Sequence, residues 1–201
     1  MHGVIYFILY CILRYLTQNM KNKLFLKYYE NNPIKIYDIG FEYIPIINWH
    51  FLDDIMVVLP IILCFYYKIN FSNFLFLLTC IYLLRELTTA VTLLPPPPFC
   101  VEINSDKMSK SKVLTKIAGS CNETIFSGHT TFMLLCLLFV LPKINDNYIK
   151  IAIYTYALLT SFIIVAMRSH YTIDVVIAWV ICVLVYISFF GNKIVKKLIL
   201  N

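Results

Sequence analysis

Two histidines, one aspartate and two arginines carry the chemistry for which this sequence can be read. His170 and Asp174 are four residues apart, so on a helix they share a face. At that spacing the carboxylate accepts a hydrogen bond from one imidazole nitrogen. It fixes the tautomer and leaves the other nitrogen free, as the orienting acid of a catalytic triad does. His129 ends the run Phe126-Ser127-Gly128-His129. Gly128 removes a side chain where the backbone approaches a ligand, and its amide at a helix start can face a phosphate. Arg85 and Arg168 are the only arginines besides Arg14, and a planar guanidinium matches phosphate through paired contacts. Together these residues form a phosphoryl-transfer set. One histidine attacks phosphorus, the second supplies a proton to the leaving alkoxide, and the arginines offset charge on the oxygens. A metal site is the rival reading. The chain has no HExxH, and its acidic residues do not group as a carboxylate cluster, so neither a metal nor a cofactor is expected.

The elements that must position these residues follow from composition. The 201 residues are 60% hydrophobic, 16% aromatic and 14% charged, with mean hydropathy +0.76. Soluble domains carry roughly a quarter charged residues. This excess of apolar surface excludes a disordered chain, a coiled coil and a small disulfide scaffold, and leaves a polytopic all-α membrane protein. A span needs about 20 residues, and its backbone groups must be satisfied within the segment, which makes it a helix. Apolar runs at 3–16, 55–67, 71–94, 124–141, 148–167 and 171–190 predict one transmembrane domain of six spans over residues 1–201. The first run is read as a span rather than a signal peptide, because it has neither a basic flank nor a small-residue cleavage site. The net charge of +6 sits mainly in short loops, where lipid headgroups are the expected contact and nucleic acid is not.

Pro95 to Pro98 cannot continue a helix and give the third span a stiff, extended exit. The polar stretch Val101–Cys121 follows, with Lys107, Lys110, Lys112 and Lys116 read as solvated or touching headgroups. Cys100 and Cys121 bracket it, and a disulfide between them stays open; the other cysteines read as small hydrophobes. Span parity places Arg85, Glu86, His129, Arg168, His170 and Asp174 towards one side. The terminal side is read as cytosolic from its short basic loops. Ionisable groups inside spans are costly and mark function by default. Arg85 and Glu86 lie on different helix faces, so each needs its own partner. For Arg168, snorkelling to headgroups and phosphate binding are weighed equally. Asp53 and Asp54 read as an interfacial boundary.

Three stretches resemble the sphingomyelin synthase family, membrane relatives of the type-2 lipid phosphate phosphatases. Tyr82-Leu83-Leu84-Arg85 through Thr92-Leu93-Leu94-Pro95 resembles its third-span motif. Cys121-Asn122-Glu123-Thr124-Ile125-Phe126-Ser127-Gly128-His129-Thr130 resembles CGDxxFSGHT. His170-Tyr171-Thr172-Ile173-Asp174-Val175-Val176-Ile177-Ala178 is similar to HYTxDVxxA. The resemblance covers about residues 37–190. It implies a six-span, lipid phosphate phosphatase-like bundle in the Golgi, ER or plasma membrane, with its site on the lumenal or outer face. It also implies metal-free transfer of phosphocholine or phosphoethanolamine from a glycerophospholipid donor to a ceramide acceptor, releasing diacylglycerol. His170 then takes the nucleophile's position, His129 that of the acid/base and Asp174 that of the orienting carboxylate. Arg85, Ser127, Gly128 and Arg168 are assigned to the phosphate, and Cys100 and Cys121 fall where family members also have cysteine.

Some positions depart from the family pattern. Asn122-Glu123 stands for Gly-Asp, and only Asp38 remains recognisable of a proline-rich motif in the first outer loop. Glu86 beside Arg85 is unexpected there, since a carboxylate at that position could neutralise the arginine. The rival activities are a lipid phosphate phosphatase, disfavoured because KxxxxxxRP is not visible, and a catalytically silent lipid-binding relative, disfavoured by the intact histidines. The sequence does not choose the head group, inositol included, or say whether the chain forms a homo-oligomer.

Overall fold

The computed structural model describes residues 2–29, 36–49, 52–92, 94, 95, 97 and 125–199. Every regular element among them is helical: α1 (His2–Tyr29), α2 (Ile39–Tyr43), α3 (Leu52–Ile55), α4 (Val58–Tyr66), α5 (Phe71–Val91), α6 (Gly128–Val140), α7 (Asn147–Ala166) and α8 (Thr172–Ile199), with a 3-10 turn at Leu141–Lys143. Among the described residues, α5, α7 and the Thr172–Gly191 part of α8 are long and apolar enough to cross a membrane. The chain is therefore a helical membrane protein. On α8, Ile173, Val176, Val180, Leu184 and Ile187 are exposed at helical spacing, an outward stripe suited to lipid.

The apolar runs differ from the helices at their ends, for local reasons. No glycine or proline interrupts residues 4–29, so α1 continues well past Leu16. The second run is broken. Pro60 has no N–H to give to the carbonyl of Met56, and Tyr156 Oη donates to that carbonyl instead at 2.5 Å. The chain turns at 56–57, which leaves α4 nine residues long, about 14 Å and short of a bilayer. α5 stops at Val91 rather than Leu94, because Thr92 is already extended ahead of the prolines. α6 starts at Gly128 rather than Thr124, where the Ser127 hydroxyl accepts from Thr130 N–H at 3.2 Å. Cys100, Cys121 and the lysine-bearing loop lie outside the described residues.

Pairwise contacts show that the apolar elements alternate in direction. α1 runs parallel to α5: Gly3 N–H donates to Ser72 Oγ at 3.3 Å at one end, and Arg14 pairs with Glu86 at the other. A Cβ on Gly3 would lie 1.9 Å from the Ser72 carbonyl oxygen, so only glycine permits this approach. α5 and α6 are antiparallel, with the Phe74 and Phe139 rings 5.6 Å apart and Arg85 bonded to Phe126. α6 and α8 are parallel, joined at Ser127 and Asp174 and at Phe139 and Tyr186.

α6 is the centre of the bundle. It is apolar on every side, and nearly every residue from Thr130 to Val140 is buried, as befits a helix surrounded by others. α4, α5, α7 and α8 all pack on it. A second, smaller cluster of Met56, Ile164, Val165, Met167 and Val175 lies under Phe41, Ile44 and Ile47 of the segment 38–47.

Glu86 finds a partner on another helix. Its carboxylate pairs with Arg14, whose Nη1 also donates to Tyr10 Oη at 3.0 Å. Arg14 is 1% exposed, and removing one partner of such a pair strands the other charge in apolar surroundings. Arg14→Ala is expected to destabilise the detergent-solubilised protein by about 3 kcal/mol. Arg14→Met combined with Glu86→Leu should cost less than either single change, as read by thermal unfolding.

Candidate active site

The site is built where the starts of α6 and α8 meet. Ser127 N–H donates to the Asp174 carbonyl at 3.2 Å, and the Ser127 carbonyl accepts from Thr131 N–H at 3.0 Å and from its hydroxyl at 2.7 Å. His129 is the second residue of α6, and His170 lies one turn before Asp174. The parity of the spans thus brings both motifs to one end of the bundle.

His170 Nδ1 faces Asp174 Oδ2 at 3.5 Å, with the aspartate side chain 1% exposed and the imidazole 12%. The same Oδ2 accepts Tyr171 N–H at 3.1 Å, which anchors the carboxylate to the turn. With Nδ1 turned to the carboxylate, Nε2 is the nitrogen left for chemistry. Asp174 Oδ1, His170 Nδ1 and Thr130 Oγ1 are buried without a hydrogen bond among the described residues. Buried polar atoms of this kind are uncommon and cluster where a structure has more than packing to do.

Arg85 enters from α5. It is 5% exposed and its Nε donates to the Phe126 carbonyl at 2.9 Å. Phe126 is fully buried with φ +40°, a left-handed conformation unusual for a bulky side chain. The guanidinium lies against Gly128, where an added Cβ would be 3.7 Å from Cζ. Tyr82 Oη donates to the Gly128 carbonyl at 3.4 Å. One arginine thus sits over the glycine of the SGH motif, beside an amide-rich helix start.

Arg168 has other partners. Its Nη2 donates to the carbonyls of Phe41 at 2.6 Å and Ile44 at 2.8 Å, and Nη1 to that of Val165 at 3.2 Å. The guanidinium lies 4.5 Å from the centre of the Phe41 ring. Burial pulls its pKa down, and the charge of Asp38 opposes that pull. The segment 38–47 that it grips was visible in the sequence only as the lone Asp38 of a degraded motif. Among the described residues no three His, Cys, Asp or Glu side chains gather as a metal-ligand set.

Residues 120–191 match the PAP2 superfamily C-terminal family. The chain is 32% identical over 101 residues to a phosphatidylinositol:ceramide inositolphosphotransferase of Oryza sativa subsp. indica, covering 50% of this chain and 29% of the relative. It is 29% identical over 169 residues to the human phosphatidylcholine:ceramide cholinephosphotransferase 2, covering 72% of this chain and 46% of the relative. An Arabidopsis thaliana phosphatidylinositol:ceramide inositolphosphotransferase 3 is 37% identical over 59 residues, 29% of this chain and 20% of the relative. The chain spans less than half the length of these relatives. The likeness is thus to the PAP2 superfamily C-terminal family over residues 120–191, and to proteins named as ceramide phosphotransferases over a larger part of the chain.

Because the Ser127 hydroxyl caps α6, Ser127→Ala is expected to lower stability by about 1 kcal/mol. In a chain of this size that is a fall of a few degrees in Tm, measurable by thermal unfolding in detergent, and Ser127→Asn should restore most of it.

Proposed function

We propose that this protein is a phospholipid:ceramide head-group phosphotransferase working through a phosphohistidine. The observation that carries the reading is the His170–Asp174 pair at 3.5 Å, joined through the Asp174 carbonyl to Ser127 of the SGH motif. The chemistry proceeds by two displacements at phosphorus. In the first, His170 Nε2 attacks, an N–P bond forms, and the P–O bond to diacylglycerol breaks. His129 gives the leaving alkoxide its proton. In the second, His129 takes the proton of ceramide's primary hydroxyl, that oxygen attacks phosphorus, and the N–P bond breaks. Asp174 keeps His170 in the tautomer whose Nε2 carries the lone pair, and it offsets the positive charge that develops on the ring. Arg85, held against Gly128, is the phosphate's counter-charge.

The donors in this reading are phosphatidylcholine or phosphatidylethanolamine, and the site opens to the lumenal or outer face. The names of the rice and Arabidopsis relatives favour a second donor, phosphatidylinositol. A phosphatase differs only in that water takes the second step.

The test is head-group transfer from labelled phosphatidylcholine, phosphatidylethanolamine and phosphatidylinositol to fluorescent ceramide, in liposomes with chelator. Ceramide-dependent product is expected from one donor. His170→Ala should reduce its rate by at least about 10³-fold, and His129→Ala by about 10² to 10⁴-fold. Gly128→Ala should fold, since its Cβ meets Arg85 at an ordinary contact distance, yet turn over more slowly by crowding the phosphate. Diacylglycerol released without ceramide would turn the reading to hydrolysis, and full transfer by His170→Ala would sink it.

A further inference from the structure

The segment 38–47 and the turn between α7 and α8 each reach into the other with a charge. Asp38 Oδ2 accepts Thr172 N–H at 2.8 Å, and Oδ1 accepts the Thr172 hydroxyl at 2.6 Å. Oδ1 also accepts Phe41 N–H at 3.1 Å. Thr172 is the first residue of α8, and first-turn amides have no partner within their own helix. Asp38 therefore caps a helix from 134 residues away. Arg168 reaches the opposite way, onto the Phe41 and Ile44 carbonyls.

Between these two contacts lie the residues on either side of His170. Phe41 stacks on Tyr171 with ring centres 5.3 Å apart and planes 25° from parallel. Arg168 has φ +59°, a costly conformation that persists only where its surroundings enforce it. Gly40 permits the approach, because a Cβ there would lie 2.1 Å from Thr172 Oγ1. Ile47 N–H donates to the Ala166 carbonyl at 3.1 Å, so the far end of the segment is tied to the end of α7. His170 itself is bonded to none of the segment's described residues. Its backbone runs through a turn clamped from outside.

We infer that Asp38 is a positioning residue for the reaction: it sets the start of α8 so that Asp174 stays beside His170 Nδ1, with Arg168 as the opposing half of the latch. The inference rests on the reading of His170 and Asp174 as the reacting pair. Asp38 holds an amide and a hydroxyl of the turn and neither reacting nitrogen, so its loss acts on turnover. Displacements of about 1 Å at a reacting centre cost on the order of 10²-fold in rate.

The experiment compares Asp38→Ala, Asp38→Asn, Thr172→Val and the Asp38→Ala/Thr172→Val double variant, as full chains in liposomes. Asp38→Ala is expected to lower kcat about 10²-fold with donor KM changed less than about twofold. Asp38→Asn keeps an oxygen that can accept from α8 and should recover to within about tenfold of the unaltered protein. The double variant should be no slower than Asp38→Ala, since both changes remove one shared interaction. A second readout does not need turnover: diethyl pyrocarbonate labelling of His170, followed by mass spectrometry, should change at least about threefold in Asp38→Ala, because the ring leaves its carboxylate partner. If the unaltered protein transfers no head group, the transfer reading fails and the labelling alone decides this inference. Unchanged kcat and labelling in folded Asp38→Ala, a KM rise at constant kcat, or losses that multiply in the double variant would each overturn it. If Asp38→Ala does not fold, Asp38→Asn and Thr172→Val decide: reduced kcat at constant KM supports the inference, and kcat equal to that of the unaltered protein in both overturns it.

Discussion

Every arginine of this chain is buried, and each serves a junction between elements. A guanidinium away from water needs acceptors or its burial is prohibitively costly, so wherever one is enclosed it dictates what must lie beside it. Arg14 draws Glu86 and ties α1 to α5. Arg85 draws the Phe126 carbonyl and ties α5 to the approach of α6. Arg168 draws the Phe41 and Ile44 carbonyls and ties the α7–α8 turn to the segment 38–47. Apolar packing around α6 sets which helices are neighbours, but it is non-directional. The arginines, whose hydrogen bonds have direction, set how the ends of those helices meet.

All the candidate chemistry lies at that end. Two turns that lead into helices carry strained residues, Phe126 and Arg168, each at positive φ. Each strained residue is bonded on the spot: the Phe126 carbonyl receives Arg85, and Arg168 fills the carbonyl fork of Phe41 and Ile44. Such strain is held where geometry must be specific. The outcome is a candidate site whose backbone is over-determined, beside which Thr130 Oγ1 and Asp174 Oδ1 are buried without a hydrogen bond among the described residues.

The legible part of the site was the part written in short-range spacing. The four-residue step from His170 to Asp174 forecast that the two would meet, and the structure puts the side chains 3.5 Å apart, although His170 lies in the turn before α8 and not on a helix face. SGH near the start of the fourth apolar run placed Gly128 at a helix start, and Ser127 caps that helix, four residues later than the run begins. Arg168 was not legible: the sequence offered headgroups or phosphate, whereas both acceptors of its Nη2 are carbonyls more than 120 residues earlier. For Glu86 the need was legible and the partner was not: neighbours on a helix point to different faces, so it requires a partner of its own, and Arg14 of α1 supplies one.

The sequence by itself determined that the chain is helical and membrane-bound, since only a helix satisfies its own backbone in hydrocarbon. Its short-range spacing also marked the residues around Ser127, His170 and Asp174 that the structure brings to one end of the bundle. Tertiary structure decided which charge meets which, where Pro60 breaks the second run, and that Asp38 caps α8. Those outcomes depend on groups far apart in the chain being brought within hydrogen-bonding distance. No local pattern encodes that, because the partner of a buried polar group is whichever acceptor the packing carries to it.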